Sequence, residues 1–97
     1  MTKVWLLYEG DEWLSTGSLV LMAICTSEES FRANAEKLIA ERAAQHFRTA
    51  KGNGMDFDCK EDVCEDISLE LRSRGATTGW DVNYCYTIAD CDQLGEI

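Results

Sequence analysis

The stretch Lys60-Glu61-Asp62-Val63-Cys64-Glu65-Asp66-Ile67-Ser68-Leu69-Glu70-Leu71-Arg72-Ser73-Arg74 decides the fold, because it reads in two ways. Val63, Cys64, Ile67 and Leu71 recur at the spacing of one helix face, whereas Ile67, Leu69 and Leu71 alternate as they would in a strand. The helical pattern covers more residues, and Gly75 stands where a C-terminal cap belongs. The segment is therefore predicted to be a helix from about Lys60 to Arg74, with Val63, Ile67 and Leu71 inward and its carboxylates outward.

Working outward from it, Gly75-Ala76-Thr77-Thr78-Gly79 is a turn, followed by the clearest strand in the chain. From Trp80 to Ile88, Trp80, Val82, Tyr84, Tyr86 and Ile88 share one face, and Asp81, Asn83, Cys85 and Thr87 share a wetter one. The tail after Ala89 is polar and expected to fray. Upstream, Lys51-Gly52-Asn53-Gly54 is a loop. Before it lies one amphipathic helix ending near Thr49. Its inner face carries Phe31, Ala35, Leu38, Ile39, Ala43, His46 and Phe47; Arg32, Glu36, Lys37, Glu41 and Arg48 lie outside. Thr26 with Glu29 three residues on reads as its capping box.

The first part of the chain supplies two more strands. Lys3 to Glu9 places Val4, Leu6 and Tyr8 on one face and Trp5 and Leu7 on the other. Ser18 to Cys25 is almost continuously apolar and suits a central position, antiparallel to the first strand. The predicted order is β-β-α-α-β: one α+β domain over residues 1–97, a small, mainly antiparallel three-stranded sheet with helices packed on one face. The second sheet face, with Trp5, Leu7 and half of the Leu19–Cys25 strand, is then apolar and needs a cover. Either the loop around Trp13 and Leu14 folds over it, or a second copy or other partner does.

The opening Lys3-Val4-Trp5-Leu6-Leu7-Tyr8-Glu9-Gly10-Asp11-Glu12-Trp13 and the closing Thr78-Gly79-Trp80-Asp81-Val82-Asn83-Tyr84 resemble a loose group of short uncharacterised α+β proteins of bacteria, especially gut bacteria, and their phages. The resemblance implies a β-β-α…β fold and carries no activity, ligand or catalytic residue.

The chemistry that sequences usually announce is missing here. The start, Met1-Thr2-Lys3-Val4-Trp5, lacks the pattern of a secretory leader, and the longest apolar run, Leu19 to Cys25, is too short to span a bilayer, so a cytoplasmic protein is expected. The five cysteines, Cys25, Cys59, Cys64, Cys85 and Cys91, are an odd number and read as reduced thiols. The pairs Cys59/Cys64 and Cys85/Cys91 are spaced too widely for a usual zinc site, and Cys64 and Cys85 fall on regular elements. Asp56-Phe57-Asp58 opens like a calcium loop, but Lys60 and Glu61 occupy positions that need a ligand and a glycine. His46 is the only histidine and reads as a packed helix residue; the acid around the thiols disfavours a reactive thiolate. No catalytic residue, metal or cofactor is predicted.

What remains is charge. The chain has 9 basic and 18 acidic residues, for a net charge of −9. Asp56, Asp58, Glu61, Asp62, Glu65, Asp66 and Glu70, against Lys60 alone, carry two-thirds of that excess. Such a surface repels nucleic acid and anionic membrane and attracts basic surfaces. Glu61/Glu65, Asp62/Asp66 and Asp66/Glu70 are like-charge pairs four apart, each costing a helix roughly 0.2–0.5 kcal/mol. A sequence chosen for stability alone would place lysine at some of these positions. Carboxylates four residues apart step by about 6 Å along a helix, broadly like successive phosphates on a nucleic-acid strand. These seven residues are therefore expected to bind a basic protein partner. The sharp form of this expectation is a phage or mobile-element inhibitor of a host nucleic-acid enzyme, a DNA mimic of the anti-restriction or anti-CRISPR type. The alternative is a homodimeric structural or regulatory module that uses the apolar sheet face, with the acid serving solubility.

Overall fold

Strand-forming Val, Trp, Leu and Tyr residues at the start of the chain build β1 (Lys3–Gly10), the central strand of an antiparallel sheet. Residues 3–90 are described by the structure, a computed structural model; Cys91 and the tail beyond it lie outside them. β2 (Val20–Cys25) and β3 (Asn83–Asp90) flank β1, giving the order β2-β1-β3. The expectation of a central position for the second strand is therefore corrected: β2 is an edge. Its apolar run reflects an open edge and an uncovered far face, since Val20, Leu21, Met22 and Ile24 are all exposed while Cys25 is buried in the core.

The pairing register sets which side chains share a face. Trp5 and Leu7 stand opposite Ile88 and Tyr86 on β3, and opposite Cys25 and Ala23 on β2. This face meets the helices: Leu7, Cys25 and Tyr84 are buried in the core, and Trp5, Ala23 and Tyr86 pack against it, so the expectation that Trp5 and Leu7 lie on the face needing a cover is corrected. On β2 the register slips between Leu7 and Tyr8, so that Tyr8 faces Leu21 and Met22 becomes the extra residue of a bulge. The far face carries Leu6, Tyr8, Leu21 and Ile24. The expected strand from Trp80 starts three residues later: Trp80 is buried ahead of β3, and Ile88, at the open end of the helix-covered face, is half exposed.

The single long helix that the periodicity predicts is broken in two. α1 (Glu28–Glu41) and α2 (Ala43–Gly52) meet at Arg42, whose φ of −113° and ψ of 22° leave the helical region. There Arg42 reaches back to β1, its Nη2 donating to Glu9 Oε1 at 2.8 Å and its Nε to Oε2 at 3.3 Å. This bidentate pair raises the guanidinium pKa further and fixes the corner between helix and sheet. The cap is also shifted: Ser27, not Thr26, accepts from the Ser30 N–H at 3.0 Å.

The ambiguous stretch is a helix, α3 (Lys60–Arg74), ended by Gly75 at φ 82°, with the Gly75 N–H bonded to the Leu71 carbonyl. Val63, Ile67 and Leu71 are fully buried against Phe31, Ala35, Leu38 and Ile39 of α1 and against Tyr84. The result is the expected α+β layer, helices on one face of three antiparallel strands, with three helices in place of two. No helix among the described residues is long and apolar enough to cross a membrane.

Candidate interaction surfaces

Because α3 buries its apolar stripe, its other side projects the acid into solvent. Asp56, Asp58, Glu61, Asp62, Glu65 and Asp66 are exposed, and none of the six forms an ion pair among the described residues. Glu61 lies below the usual carboxylate range, through a hydrogen bond from its own backbone N–H and another from the Cys59 thiol. Glu70 differs from the other six. It is only partly exposed, accepts the Thr78 N–H at 3.1 Å and lies 3.7 Å from Arg74. Its carboxylate tethers α3 to the turn that follows, a role that charge counting could not reveal.

A second surface lies at the Trp13 loop. Asp11 is its knot: Oδ1 accepts from the N–H groups of Trp13 at 3.1 Å and Ser15 at 3.0 Å, and Oδ2 from the Ser15 hydroxyl at 2.6 Å. These bonds, that of the Ser15 hydroxyl foremost, hold the Asp11 carboxyl below its usual range. Leu14 adopts φ 51°, the left-handed region that non-glycine residues rarely enter. Gly10 lets the loop fold close, since a Cβ there would stand 2.9 Å from Leu19 Cδ2. Trp13 is left 79% exposed. The loop therefore does not fold over the far sheet face. With Thr49, Asn53, Trp80 and Asp81 it instead borders a cleft of about 490 Å³. Thr49 Oγ1 lies 3.2 Å from Asp81 Oδ2 across that cleft and 3.1 Å from the Gln45 carbonyl, so its one proton is shared between them.

Asn83 holds this end together from beneath. It is fully buried on the strand face expected to be wet. Its Nδ2 reaches the carbonyls of Trp80 at 2.8 Å, Glu12 at 3.0 Å and Asp11 at 3.3 Å, and its Oδ1 accepts from Thr77 Oγ1 at 2.9 Å. Neither this staple nor the cleft was anticipated from sequence. The one available signal was a tryptophan set among Asp, Glu, Ser and Gly.

His46 is packed, as its helical position implies. It is fully buried, its Nε2 lies 2.8 Å from the Tyr84 hydroxyl, and its ring stands edge-on to Trp80 and Tyr84. Burial first, then Arg42, pushes its pKa down, and burial raises that of Tyr84. Cys25, Cys59, Cys64 and Cys85 are free thiols; burial raises the pKa of Cys64 and Cys85, with Glu61 adding to the effect at Cys64. Among the described residues no three His, Cys, Asp or Glu side chains converge as a metal site; Cys91 lies outside them.

The third surface is the β2 edge. Val20, Leu21, Met22 and Ile24 are 57%, 46%, 43% and 62% exposed on a strand with no charged residue or proline to guard it. No family model, curated protein or solved structure matches the chain.

Proposed function

We propose that this chain is a small acidic, non-enzymatic binding protein of the cytoplasm that docks on a basic protein surface through Asp56, Asp58, Glu61, Asp62, Glu65 and Asp66. Its sharp form is a phage or mobile-element inhibitor that occupies the nucleic-acid channel of a host enzyme. The observation that carries the reading is that six exposed carboxylates lie along one helix and its lead-in loop with no neutralising ion pair among the described residues. The stacked like charges weaken α3, so a partner of opposite sign gains energy that the free protein forgoes. Glu70, held by Thr78, positions the helix rather than contacting the partner. The test is capture of partners by the parent and by an E61K/E65K/D66K variant side by side.

One observation favours a second reading, a homodimeric module. β2 offers an edge without a charged residue or proline and with exposed apolar side chains, where a second copy paired antiparallel about a two-fold axis would continue the sheet. Sedimentation decides it.

A further inference from the structure

The geometry points to the cleft between Trp13 and Asp81 as a socket for an arginine side chain of a protein partner. This rests on the reading of the chain as a binder of basic proteins, and it adds a specific anchor to a diffuse field of charge.

The cleft has the chemistry a guanidinium needs. Trp13 is 79% exposed and offers an indole, and stacking over indole is the strongest form of cation–aromatic attraction. Glu12 and Asp81 bring two carboxylates to the same lining, and none of the described lining residues is cationic. Asn53 and Thr49 add neutral hydrogen-bonding groups. The volume of about 490 Å³ admits a long side chain and its neighbours. A planar, forked guanidinium can stack on an indole and bond a carboxylate at once, which an ammonium does less well.

The site is also built before any ligand arrives. The Asp11 knot, the left-handed Leu14 and the buried Asn83 fix the backbone that carries Trp13, and Thr49 Oγ1 lies 3.2 Å from Asp81 Oδ2. A fixed backbone lessens the conformational freedom lost when the exposed indole binds, which is the property of an interface anchor. Glu70 joins the two surfaces, since the last carboxylate of the acidic run bonds the Thr78 N–H on the cleft lining.

The experiment is an NMR titration of the full chain with acetyl-Gly-Arg-Gly-amide and with its citrulline counterpart, isosteric and uncharged. Saturable shifts are expected at the Trp13 indole N–H, the Asn53 side-chain amide and the Gly79 amide, with a Kd on the order of millimolar. Trp13→Ala should weaken binding about three- to fivefold, Asp81→Asn should weaken it as well, and citrulline should bind markedly less well. Both substituted positions are exposed, so the variants should fold. The E61K/E65K/D66K variant should leave the titration unchanged, which separates the socket from the acidic helix face. Equal binding of citrulline, no saturable shift at the cleft, or binding lost in the helix variant but kept in Trp13→Ala would overturn the socket. The last result would still leave the acidic face as the docking surface.

Discussion

Thr77 Oγ1 donates to Asn83 Oδ1 at 2.9 Å with both residues fully buried, while the same hydroxyl oxygen accepts the Tyr84 N–H at 3.0 Å. The turn after α3, the start of β3 and, through Asn83 Nδ2, the carbonyls of the Trp13 loop thus share one closed polar network. Asn83→Ala strands the Thr77 hydroxyl and the Trp80 carbonyl in the interior. The expected loss is about 2–6 kcal/mol, since each of the two buried unpaired groups costs roughly 1–3. Urea unfolding measures it. An unchanged midpoint would mean that water replaces the amide and that the network does not hold the loop.

Tyr84 contributes through both its ring and its hydroxyl. Tyr84→Ala should cost on the order of 3–5 kcal/mol, as large aromatic truncations in cores do. Tyr84→Phe keeps the packing and removes the partner of His46 Nε2, for a loss of about 1–2 kcal/mol. The two midpoints should differ clearly. If they coincide, the hydroxyl carries the stability and the ring packing does not.

Acid should destabilise the fold through His46. Burial and the nearby Arg42 lower its folded pKa, opposed more weakly by Glu9 and Asp81. Below the unfolded value near 6.5 the unfolded chain takes up a proton that the folded chain refuses, so stability falls as pH drops from about 7.5 toward 5.5. Urea midpoints across that window, with His46→Phe as the control that flattens the slope, give the check. A flat parent profile would contradict the assigned direction.

The β2 edge predicts concentration-dependent association. Sedimentation at micromolar concentration should show a dimer that Ile24→Lys abolishes, because a lysine there guards the edge. A parent that is monomeric throughout would leave the sheet face merely exposed and remove the support for the homodimer reading.

Much of this fold was legible from periodicity. The helix over 60–74 was readable because Val63, Ile67 and Leu71 and the Gly75 cap agree, and all four behave as the pattern requires. The break at Arg42 was not legible: both half-helices keep the same apolar spacing, and Arg42's partner at the break is Glu9, 33 residues away. β2 read as central because hydrophobicity reports apolar side chains without reporting whether anything covers them. Asn83 sat on the face expected to be wet, and only its partners in the Trp13 loop explain its burial. The outward carboxylates were legible, since a helix cannot bury both sets of side chains. The tether at Glu70 was not, since it depends on a backbone N–H eight residues away.

The central claim concerns the acid of α3 and its lead-in loop, and the most direct measurement compares the parent with E61K/E65K/D66K as bait in a bacterial lysate at low and high salt. The variant should remain folded and gain up to roughly 1 kcal/mol, as the 62/66 and 66/70 pairs become attractive while the 61/65 pair, reversed at both positions, stays like-charged. The account predicts that the parent retains a basic protein in stoichiometric amount at low salt, releases it as salt screens the charges, and that the variant retains none of it. If both proteins retain the same partners with the same salt dependence, the acid is only a solvated surface and the docking claim is contradicted.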